Sequence, residues 1–446
     1  MRKVLMIAYD YPPRGWSGVQ RTVKFVRYLP EFGWEPVVLA PREWYLPAPM
    51  DPALLAEVAH ATTERTGMVT HERFMRLWRG MGTALWPMLK LAGKDADWFA
   101  EGMRWRYINW LVPDYAVGWV PQAVWQGLRM IRRHRPKVLY ATAPPHSALV
   151  TGLILSRLTG VPFVADFRDL WRDAFVDEHL PAWRSRTESA MEKAVVSRAS
   201  AILTTARAAG DILRAKYPRV AAERFITIYN GYDPGDLLAA GRGGAPKDRS
   251  RMHLCHVGSL YGKQSPRHVL RALELLRAEQ PAVGSEVGLR FVGHVGEFEG
   301  ELRASPCAEG IEITGAVGHD EAIREMARAD VLLLILNDGG EAVIPGKIFE
   351  YIASGPHVLA TVPVRGEAAA LLRRVGGATV VDCADVAGIR DALVRLHGQW
   401  SDGGLKADRD PDAVRQFERR ELTRRLATVF DECAGGRATG PGGELR

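Results

Sequence analysis

Residues 4–39 read VLMIAYDYPPRGWSGVQRTVKFVRYLPEFGWEPVVL, and this stretch decides the fold. It opens with an apolar run, residues 4–8, that ends at a polar turn, which is typical of a buried strand. Apolar side chains then recur near helical spacing over residues 19–32, and residues 36–39 form a second apolar run. A strand, a glycine-containing loop, a helix and a strand make a βαβ unit, the seed of a parallel sheet that binds ligands at its strand ends.

The alternation of strands and helices continues through the chain. Further strands are predicted at 138–141, 162–166, 201–205, 225–229, 252–257, 289–292, 311–314, 331–335, 358–361 and 378–382. Helices are predicted at 147–158, 188–197, 208–216, 266–279, 319–329, 347–354, 367–374 and 386–397, followed by an amphipathic segment at 412–433. The Gly- and Arg-rich stretch 241–251 has the composition of an interdomain linker. We therefore expect an α/β protein with two doubly wound, Rossmann-like sheets rather than one large sheet.

The segment 65–130 interrupts this alternation. It holds seven of the thirteen tryptophans, interleaved with Arg and Lys. One interpretation is a helical excursion whose aromatic rings fill a local core, which we favour because buried aromatic packing is common. The other is an element at the surface of an anionic membrane, with residues 74–91 as the stretch that would face lipid.

Composition limits the class of protein. The chain has 446 residues and a formal charge of +7, with basic residues spread along it, which argues against nucleic acid as the main partner. The four cysteines lack metal-like or disulfide-like spacing and indicate thiols in a reducing compartment. The N-terminal apolar run is too short for a signal peptide, and the run 331–336 is too short to span a bilayer. We expect a cytoplasmic protein, with peripheral contact to the inner face of the cytoplasmic membrane left open.

Loops that follow strands in the first half carry candidate ligand residues. Gly15 and Gly18 lead into the first helix, where glycine permits close backbone approach and a helix start favours an anion. In TAPPHS (142–147), His146 stands at a helix start, either as a ligand contact or as a turn residue. Polar side chains then crowd the stretch ADFRDLWRD, either for a hydroxylated substrate or as an internal ion-pair cluster. They are Asp166, Arg168, Asp169 and Arg172.

Two loops in the second half are better suited to a phosphate group. Gly258, Ser259 and Gly262 make a loop whose amides could surround an anion, and Lys263 adds a positive charge. In GGEAVIPGKIFEYIASG (339–355), a helix begins near Gly346. Lys347 and Glu350 share a face at its start, so that the lysine suits an anion and the carboxylate a ribose diol. A surface Lys–Glu pair is the alternative, made less attractive by the apolar residues around it.

As a set, these blocks resemble retaining glycosyltransferases of family 4. They are YDYPPRGWSGVQ (9–20), APPHS (143–147), GVPFVADFRDLW (160–171), NGYD (230–233), VGSLYGK (257–263), PGKIFEYIASG (345–355) and FERRELTRRLATVF (417–430). The resemblance implies the GT-B fold, with two Rossmann-like domains facing across a cleft and a C-terminal helix that crosses back to the first domain. The domains it implies are an acceptor-side domain at 1–240 with the insertion 65–130, a linker at 241–251, and a nucleotide-sugar-binding domain at 252–410. A crossover helix at 411–434 would pack on the N-terminal domain, and a disordered tail would follow at 435–446.

The resemblance also implies roles for single residues. The catalytic set would be His146, Lys263 and Glu350. Donor-binding residues would be Gly258, Ser259, Lys263, Val317, Gly318, Pro345, Gly346, Lys347 and Glu350, with Glu350 on the ribose and Lys263 on the diphosphate. Acceptor-side residues would be Gly15, Gly18, Asp166, Arg168 and Asp169. One departure stands out: the glutamate that the family often has eight positions before Glu350 is Ala342 here, with Glu341 one position off.

The expected activity is transfer of a sugar from a nucleoside diphosphate sugar, most simply a UDP-sugar, to a hydroxylated acceptor with retention of anomeric configuration. The expected acceptor is lipid-linked or an envelope polysaccharide, with a soluble secondary metabolite as the alternative. No cofactor and no obligatory metal are expected, since no DxD-like ligand set stands out. Alternatives are a sugar-nucleotide epimerase or phosphorylase of the same two-domain plan, and a non-catalytic sugar-nucleotide-binding partner.

Overall fold

The computed structural model describes residues 1–15, 17–42, 44, 50–68, 111–171, 181–240, 250–262 and 264–435. The chain divides into two compact units. Unit 1 comprises Met1–Thr205, Ala209–Ile228 and Thr423–Arg446, and unit 2 comprises Ala206–Ala208 and Tyr229–Leu422. Each unit contains a single parallel sheet among its described residues.

The sheet of unit 1 has seven parallel strands in the order β3-β2-β1-β4-β5-β6-β7. They are β1 (Arg2–Ala8), β2 (Trp34–Pro41), β3 (Thr62–Thr66), β4 (Val138–Ala143), β5 (Phe163–Phe167), β6 (Ala201–Thr204) and β7 (Phe225–Thr227). The central strands β4 and β5 are buried along their whole length, as expected for a parallel sheet covered on both faces. The order of strands reverses between β1 and β4, so the loops that follow these two strands mark the place where such sheets bind ligands.

The sheet of unit 2 has six parallel strands in the order β10-β9-β8-β11-β12-β13. They are β8 (Met252–Val257), β9 (Val287–Val292), β10 (Ile311–Gly315), β11 (Val331–Ile335), β12 (His357–Thr361) and β13 (Ala378–Val381). Its order reverses between β8 and β11, which directs attention to the loops 258–266 and 336–346.

Helices alternate with the strands in both units. In chain order they are α1 (Ser17–Tyr28), α2 (Ala53–Glu57), α3 (Val120–His134), α4 (Ser147–Thr159), α5 (Ala182–Arg198), α6 (Arg207–Lys216), α7 (Pro234–Ala240), α8 (Arg267–Glu279), α9 (Pro281–Ser285), α10 (Glu299–Ala304), α11 (His319–Arg328), α12 (Lys347–Ser354), α13 (Glu367–Val375), α14 (Val386–Ser401), α15 (Pro411–Arg415) and α16 (Arg419–Ala434). No helix among the described residues is both long and apolar enough to cross a bilayer.

The end of the chain returns to the sheet of unit 1. Phe430 of α16 is fully buried, and its ring lies 5.4 Å from that of Trp34 and 6.0 Å from that of Tyr140, measured between centroids. The indole of Trp34 donates a hydrogen bond to Asp431 at 2.8 Å. Aromatic packing and a part-buried hydrogen bond therefore fix the second part of α16 on unit 1.

Every strand predicted from the sequence is present, with ends that differ by at most two residues. Two regular elements lie inside or beside the segment that was expected to break the alternation. Residues 62–66 form the edge strand β3, whose polar sequence TTERT lacks an apolar alternation, and residues 120–134 form the helix α3. The expected single segment 412–433 is two helices, because the chain turns between Arg415 and Arg419.

The boundaries of the two units differ from the domain boundaries that the sequence predicts. Residues 229–240 lie in unit 2 rather than with residues 1–228, because Tyr229 packs on Phe349 and Phe417 at centroid distances of 5.8 and 5.3 Å. The Tyr232 amide also donates to the Phe417 carbonyl at 3.0 Å. Residues 411–422 belong to unit 2 as well, so only the rest of the expected crossover helix lies in unit 1. The core of the insertion, including 74–91, most of the linker, and the tail 436–446 lie outside the described residues.

Candidate active site

The loop after β8 in unit 2 begins with a glycine that its surroundings require. Gly258 has a φ of 109°, a region that favours glycine, and a Cβ added there would lie 3.0 Å from the Lys347 amine. Ser259 follows it and is exposed. Gly262 also has a positive φ, of 51°, whereas Lys263 lies outside the described residues. The predicted glycine loop is therefore positioned beside the first residue of α12.

Lys347 does not form the surface pair with Glu350 that the sequence left as an alternative. Its amine lies 2.9 Å from Nε2 of His256 and donates to Oε1 of Gln264 at 3.3 Å. Burial lowers the pKa of Lys347 to about 7, an effect that the charge of Glu350 opposes. Burial and the neighbouring Lys347 lower the pKa of His256 well below its usual value. This amine is thus held inside the unit by two neutral acceptors.

Glu350 lies one turn further along α12 and is mostly buried, with 16% of its side chain exposed. Its Oε1 lies 3.5 Å from Nη2 of Arg419, and Nη1 of the same guanidinium lies 3.6 Å from Oδ2 of Asp236. Nε2 of His319 lies 3.4 Å from the same Asp236 oxygen. Burial lowers the pKa of His319, but the hydrogen bond to Asp236 and the charge of Glu350 raise it above its usual value overall.

This chain of charges connects two predicted parts of the donor site. Val317 and Gly318 are exposed and precede α11, whose first residue is His319. They follow β10 at the edge of the sheet, and His319 ties their loop to Asp236 and, through Arg419, to Glu350. The loop after the edge strand β10 is therefore linked by these contacts to α12, which begins where the strand order of the sheet reverses.

The start of α12 lies beside the NGYD stretch. Pro345 is buried and Gly346 is exposed, and a Cβ added to Gly346 would lie 3.8 Å from the Asn230 amide nitrogen. Within unit 2, the described donor-binding candidates thus cluster around β8 and α12, apart from Val317 and Gly318. Among the residues that the structure describes, no group of three His, Cys, Asp or Glu side chains is arranged to hold a metal ion.

In unit 1, Arg168 joins the loops that follow β1 and β4. Its guanidinium donates to the main-chain carbonyls of Gly18 and Pro144, and at 3.3 Å to that of Ala143. A Cβ at Gly18 would overlap this guanidinium, so the glycine makes room for the arginine. Gly15 lies in the loop that precedes α1, the helix that contains Gly18. It follows Arg14, whose guanidinium pairs with Asp10 at 2.8 Å.

His146 immediately precedes α4. Its ring stacks on that of Trp171 with centroids 4.5 Å apart, and its Nε2 is buried with no hydrogen-bond partner among the described residues. Burial lowers the pKa of His146 to about 3, so the ring is neutral at physiological pH. The start of α4 is capped by Asp114, which accepts from the Ser147 amide at 2.9 Å and from the Ser147 hydroxyl at 2.6 Å.

The prediction that Asp166 faces an acceptor is wrong. Its carboxylate is fully buried and accepts hydrogen bonds from Arg21 at 3.0 and 3.1 Å, from Thr142 at 3.0 Å and from the Tyr140 hydroxyl. Asp166 is thus part of an internal ion pair, as in the alternative that the sequence offered, but its partner is Arg21 of α1 rather than an arginine of its own loop. Asp169 is exposed beside Arg168, and Arg172 lies outside the described residues.

Several residues of these clusters were not found from the sequence. They are His256, Gln264, Asp236, Arg419 and Asp114. A histidine inside an apolar strand resembles a core residue, and Arg419 lies far along the chain from Glu350. Asp236 lies three residues after the stretch NGYD (230–233), which is one of the blocks that carry the family resemblance.

Comparisons with solved structures place the fold in a known class. HepE of Anabaena, crystallised with UDP and glucose, has a TM-score of 0.58 and 15% identity over 97% of this chain and 100% of that one. WaaG, a glycosyltransferase involved in lipopolysaccharide biosynthesis, has a TM-score of 0.56 and 14% identity over 98% and 100%. The UDP-GlcNAc 2-epimerase of Neisseria meningitidis, bound to UDP-GlcNAc, has a TM-score of 0.53 and 10% identity over 96% and 100%. No curated protein sequence matches the chain.

Two parallel, Rossmann-like sheets and these neighbours define an α/β protein of the GT-B fold, as predicted. Residues 17–231 match the family model described as a glycosyl transferase 4-like domain. This match covers just under half of the chain, and together with the fold it supports the predicted resemblance to family 4 and the predicted class of enzyme, a glycosyltransferase.

Proposed function

We propose that this glycosyltransferase uses a nucleoside diphosphate sugar, most simply a UDP-sugar, and transfers the sugar to a hydroxylated acceptor with retention of configuration. The observation that carries the donor proposal is the pair of opposite charges at the start of α12. Lys347 offers an ammonium beside the Gly258 turn, and Glu350 offers a carboxylate one turn away. A diphosphate and a ribose diol are the groups that such a pair is suited to bind.

The proposed roles follow from the chemistry of each group. Glu350 accepts hydrogen bonds from the ribose hydroxyls, and Lys263 with Lys347 neutralises the diphosphate as it leaves. The loop at Val317 and Gly318 contacts the base through its main chain. His146, neutral at physiological pH with a free ring nitrogen, donates or accepts a hydrogen bond at the transferred sugar or acceptor. Positioned charge at a leaving diphosphate stabilises the transition state more than the ground state.

A binding panel tests the donor. Thermal shifts with UDP-, GDP-, ADP- and TDP-sugars should single out one base, because a ligand that binds only the folded state stabilises it by mass action. With the donor known, Glu350→Ala and Lys263→Ala should each reduce turnover severely, while Glu299→Ala, which removes an exposed carboxylate on α10, should not. Near-normal turnover of both site variants would contradict the assignment, and the anomeric proton of the product, observed by NMR, tests retention.

We also propose that no metal is obligatory. The diphosphate would be neutralised by lysine side chains and main-chain amides, so no bridging cation is required. Turnover in excess EDTA should equal turnover with added Mg²⁺ or Mn²⁺. Loss of activity in EDTA that either ion restores would contradict this proposal.

We propose a lipid-linked or envelope polysaccharide acceptor, reached by an enzyme that associates with the inner face of the cytoplasmic membrane. The exposed face of α3 supports contact with anionic lipid: Trp125 is 59% exposed, the Arg129 guanidinium lies 4.6 Å from its ring centroid, and Arg132 is exposed nearby. Co-sedimentation with phosphatidylglycerol vesicles should fall for Trp125→Ala combined with Arg129→Glu, and not for Arg271→Glu in unit 2. Absence of sedimentation of the wild type would favour a soluble acceptor.

A sugar-nucleotide epimerase is the second candidate, favoured by the likeness in fold to the Neisseria enzyme. It requires no acceptor, so incubation of the donor with enzyme alone separates the two. An epimeric nucleotide sugar would support the epimerase, and release of the nucleotide only with acceptor would support the transferase. Tight donor binding with neither reaction would identify a non-catalytic binding partner.

A further inference from the structure

The contact between Lys347 and His256 joins α12 to the strand β8 in unit 2. His256 is fully buried, and its Nδ1 lies 3.0 Å from the main-chain carbonyl of Leu333 on β11. A carbonyl oxygen only accepts, so Nδ1 carries the proton and Nε2 is the acceptor that faces Lys347. The tautomer of this ring is therefore set by the neighbouring strand.

The ammonium of Lys347 has one N–H group more than its two acceptors, His256 and Gln264, use. It carries three N–H groups, of which His256 Nε2 takes one at 2.9 Å and Gln264 Oε1 takes another at 3.3 Å. The amine lies against Gly258, at the carboxyl end of β8, where the strand order reverses. The third N–H is thus available at the end of the sheet where ligands bind.

We propose that His256 and Gln264 are positioning residues that hold the Lys347 ammonium beside Gly258, so that its third N–H faces a phosphate oxygen of the bound nucleotide. This inference rests on the proposed function and deepens it. His256 and Gln264 do not touch the nucleotide; they act through Lys347. Their effect is to fix where its charge lies and over what range of pH it persists.

Titratable groups near the Lys347 amine influence its charge. Among the described residues they are His256 from β8 and Glu350 from its own helix, and Glu350 is paired with Arg419. Burial lowers the pKa of Lys347 to about 7. Anion binding requires the ammonium, so nucleotide affinity should decline as pH rises through and above 7.

Substitutions at the two positioning residues should move this decline in opposite directions. His256→Phe keeps an aromatic ring against Phe291 but removes the acceptor, which leaves the buried ammonium less stable and moves the decline to lower pH. His256→Gln restores an acceptor oxygen near the position of Nε2 and should restore most of the profile. Gln264→Glu places a carboxylate beside the ammonium and should move the decline to higher pH.

The experiment is calorimetric titration of the full-length chain and these variants with UDP from pH 6 to 9, with uridine as the probe that lacks phosphates. At pH 8, His256→Phe should bind UDP about tenfold more weakly than the wild type, the effect of a lost charge-assisted hydrogen bond, and should bind uridine equally. Because the same UDP is used throughout, titration of its own phosphate cancels between variants.

The outcomes separate this inference from the proposed function. If the wild type binds UDP and all three variants share its pH profile, the positioning role is refuted and the proposed function stands. If His256→Phe does not fold, Gln264→Glu decides through the direction of its shift. If the wild type binds no nucleoside diphosphate in the same assay with ADP, GDP and TDP, the proposed function fails and this inference fails with it.

Discussion

At the scale of single residues, the ion pair of Asp166 and Arg21 is a buried contact of unit 1 that should be sensitive to substitution. Both side chains are almost fully buried, and the carboxylate also accepts from Thr142 and Tyr140. Asp166→Asn leaves the Arg21 charge buried without a counter-charge and should destabilise unit 1 by about 3–5 kcal/mol in urea unfolding. Asp211→Asn, at an exposed pair with Arg214, is the control and should change stability by less than about 0.5 kcal/mol. Equal effects of the two would contradict the structural role of Asp166.

His146 should make stability depend on pH. Its pKa is lowered by burial to about 3 from an ordinary value of 6.5, so below pH 6.5 the unfolded chain takes up a proton that the folded one does not. The contribution of the neutral His146 ring to the free energy of unfolding is therefore lost as pH falls from 6.5 toward 3. At pH 5 this loss is about 2 kcal/mol. His146→Gln removes this dependence, so its loss of stability between pH 7 and pH 5 should be smaller by that amount. Parallel curves for variant and wild type would contradict the burial of a neutral ring.

Residues of the site differ in how far the sequence reveals them. Lys347 and Glu350 could be predicted, since their spacing of three on a short helix after a glycine loop places them together. His256 could not, because its contact with Lys347 depends on how α12 packs on β8, and one histidine in the apolar run MHLCHV looks like core. Asp166 was misjudged because the sequence places Arg21 on another element, and only the fold brings the two together.

At the scale of elements, the loop after β8 depends on a glycine for two reasons. Gly258→Ala would strain a residue at φ 109° and press a methyl group on the Lys347 amine, so UDP affinity should fall about tenfold or more. Gly403→Ala is a matched control, since Gly403 has a φ of 113° but no atom near its added Cβ. It should cost similar backbone strain and leave UDP binding unchanged. Equal loss of UDP affinity in both variants would contradict the idea that UDP binding requires the absence of a side chain beside the Lys347 amine.

The helix α16 contributes to unit 1 through its apolar face. Phe430→Ala removes a fully buried ring that contacts Trp34 and Tyr140, and it should destabilise unit 1 by about 3–5 kcal/mol. Thr428→Ala, on the exposed face of the same helix, should change stability by less than about 0.5 kcal/mol. Urea midpoints of the two variants give the comparison, and a small effect of Phe430→Ala would contradict the packing described.

Most elements were predictable because parallel strands buried on both faces are short, apolar and bounded by turn residues. The exceptions have physical causes. β3 is an edge strand with the polar sequence TTERT, so it carries no hydrophobic signal. α3 was obscured by exposed Trp125 and its many arginines, which suit an interfacial element as well as an ordinary helix.

At the scale of the whole molecule, two compact units with separate sheets should unfold in two calorimetric transitions. UDP at 100 times its dissociation constant should stabilise unit 2 by about 2.7 kcal/mol and raise only that transition. Asp166→Asn should lower the other transition, which assigns it to unit 1. A single transition that both UDP and the substitution move would contradict this division.

The return of α16 to unit 1 has a consequence for the order in which the chain acquires its structure. Trp34 and Asp431, which are hydrogen-bonded, lie 397 residues apart in sequence. A ribosome that emits residues at about 5–20 per second exposes the first sheet tens of seconds before the segment that completes it. Unit 2 is nearly continuous in sequence and can be complete while unit 1 still waits for Phe430. Unit 1 is thus the first to be synthesised and the last to complete its fold. Translation of an mRNA truncated near its 3′ end would yield an intact unit 2 and a unit 1 with an exposed apolar face.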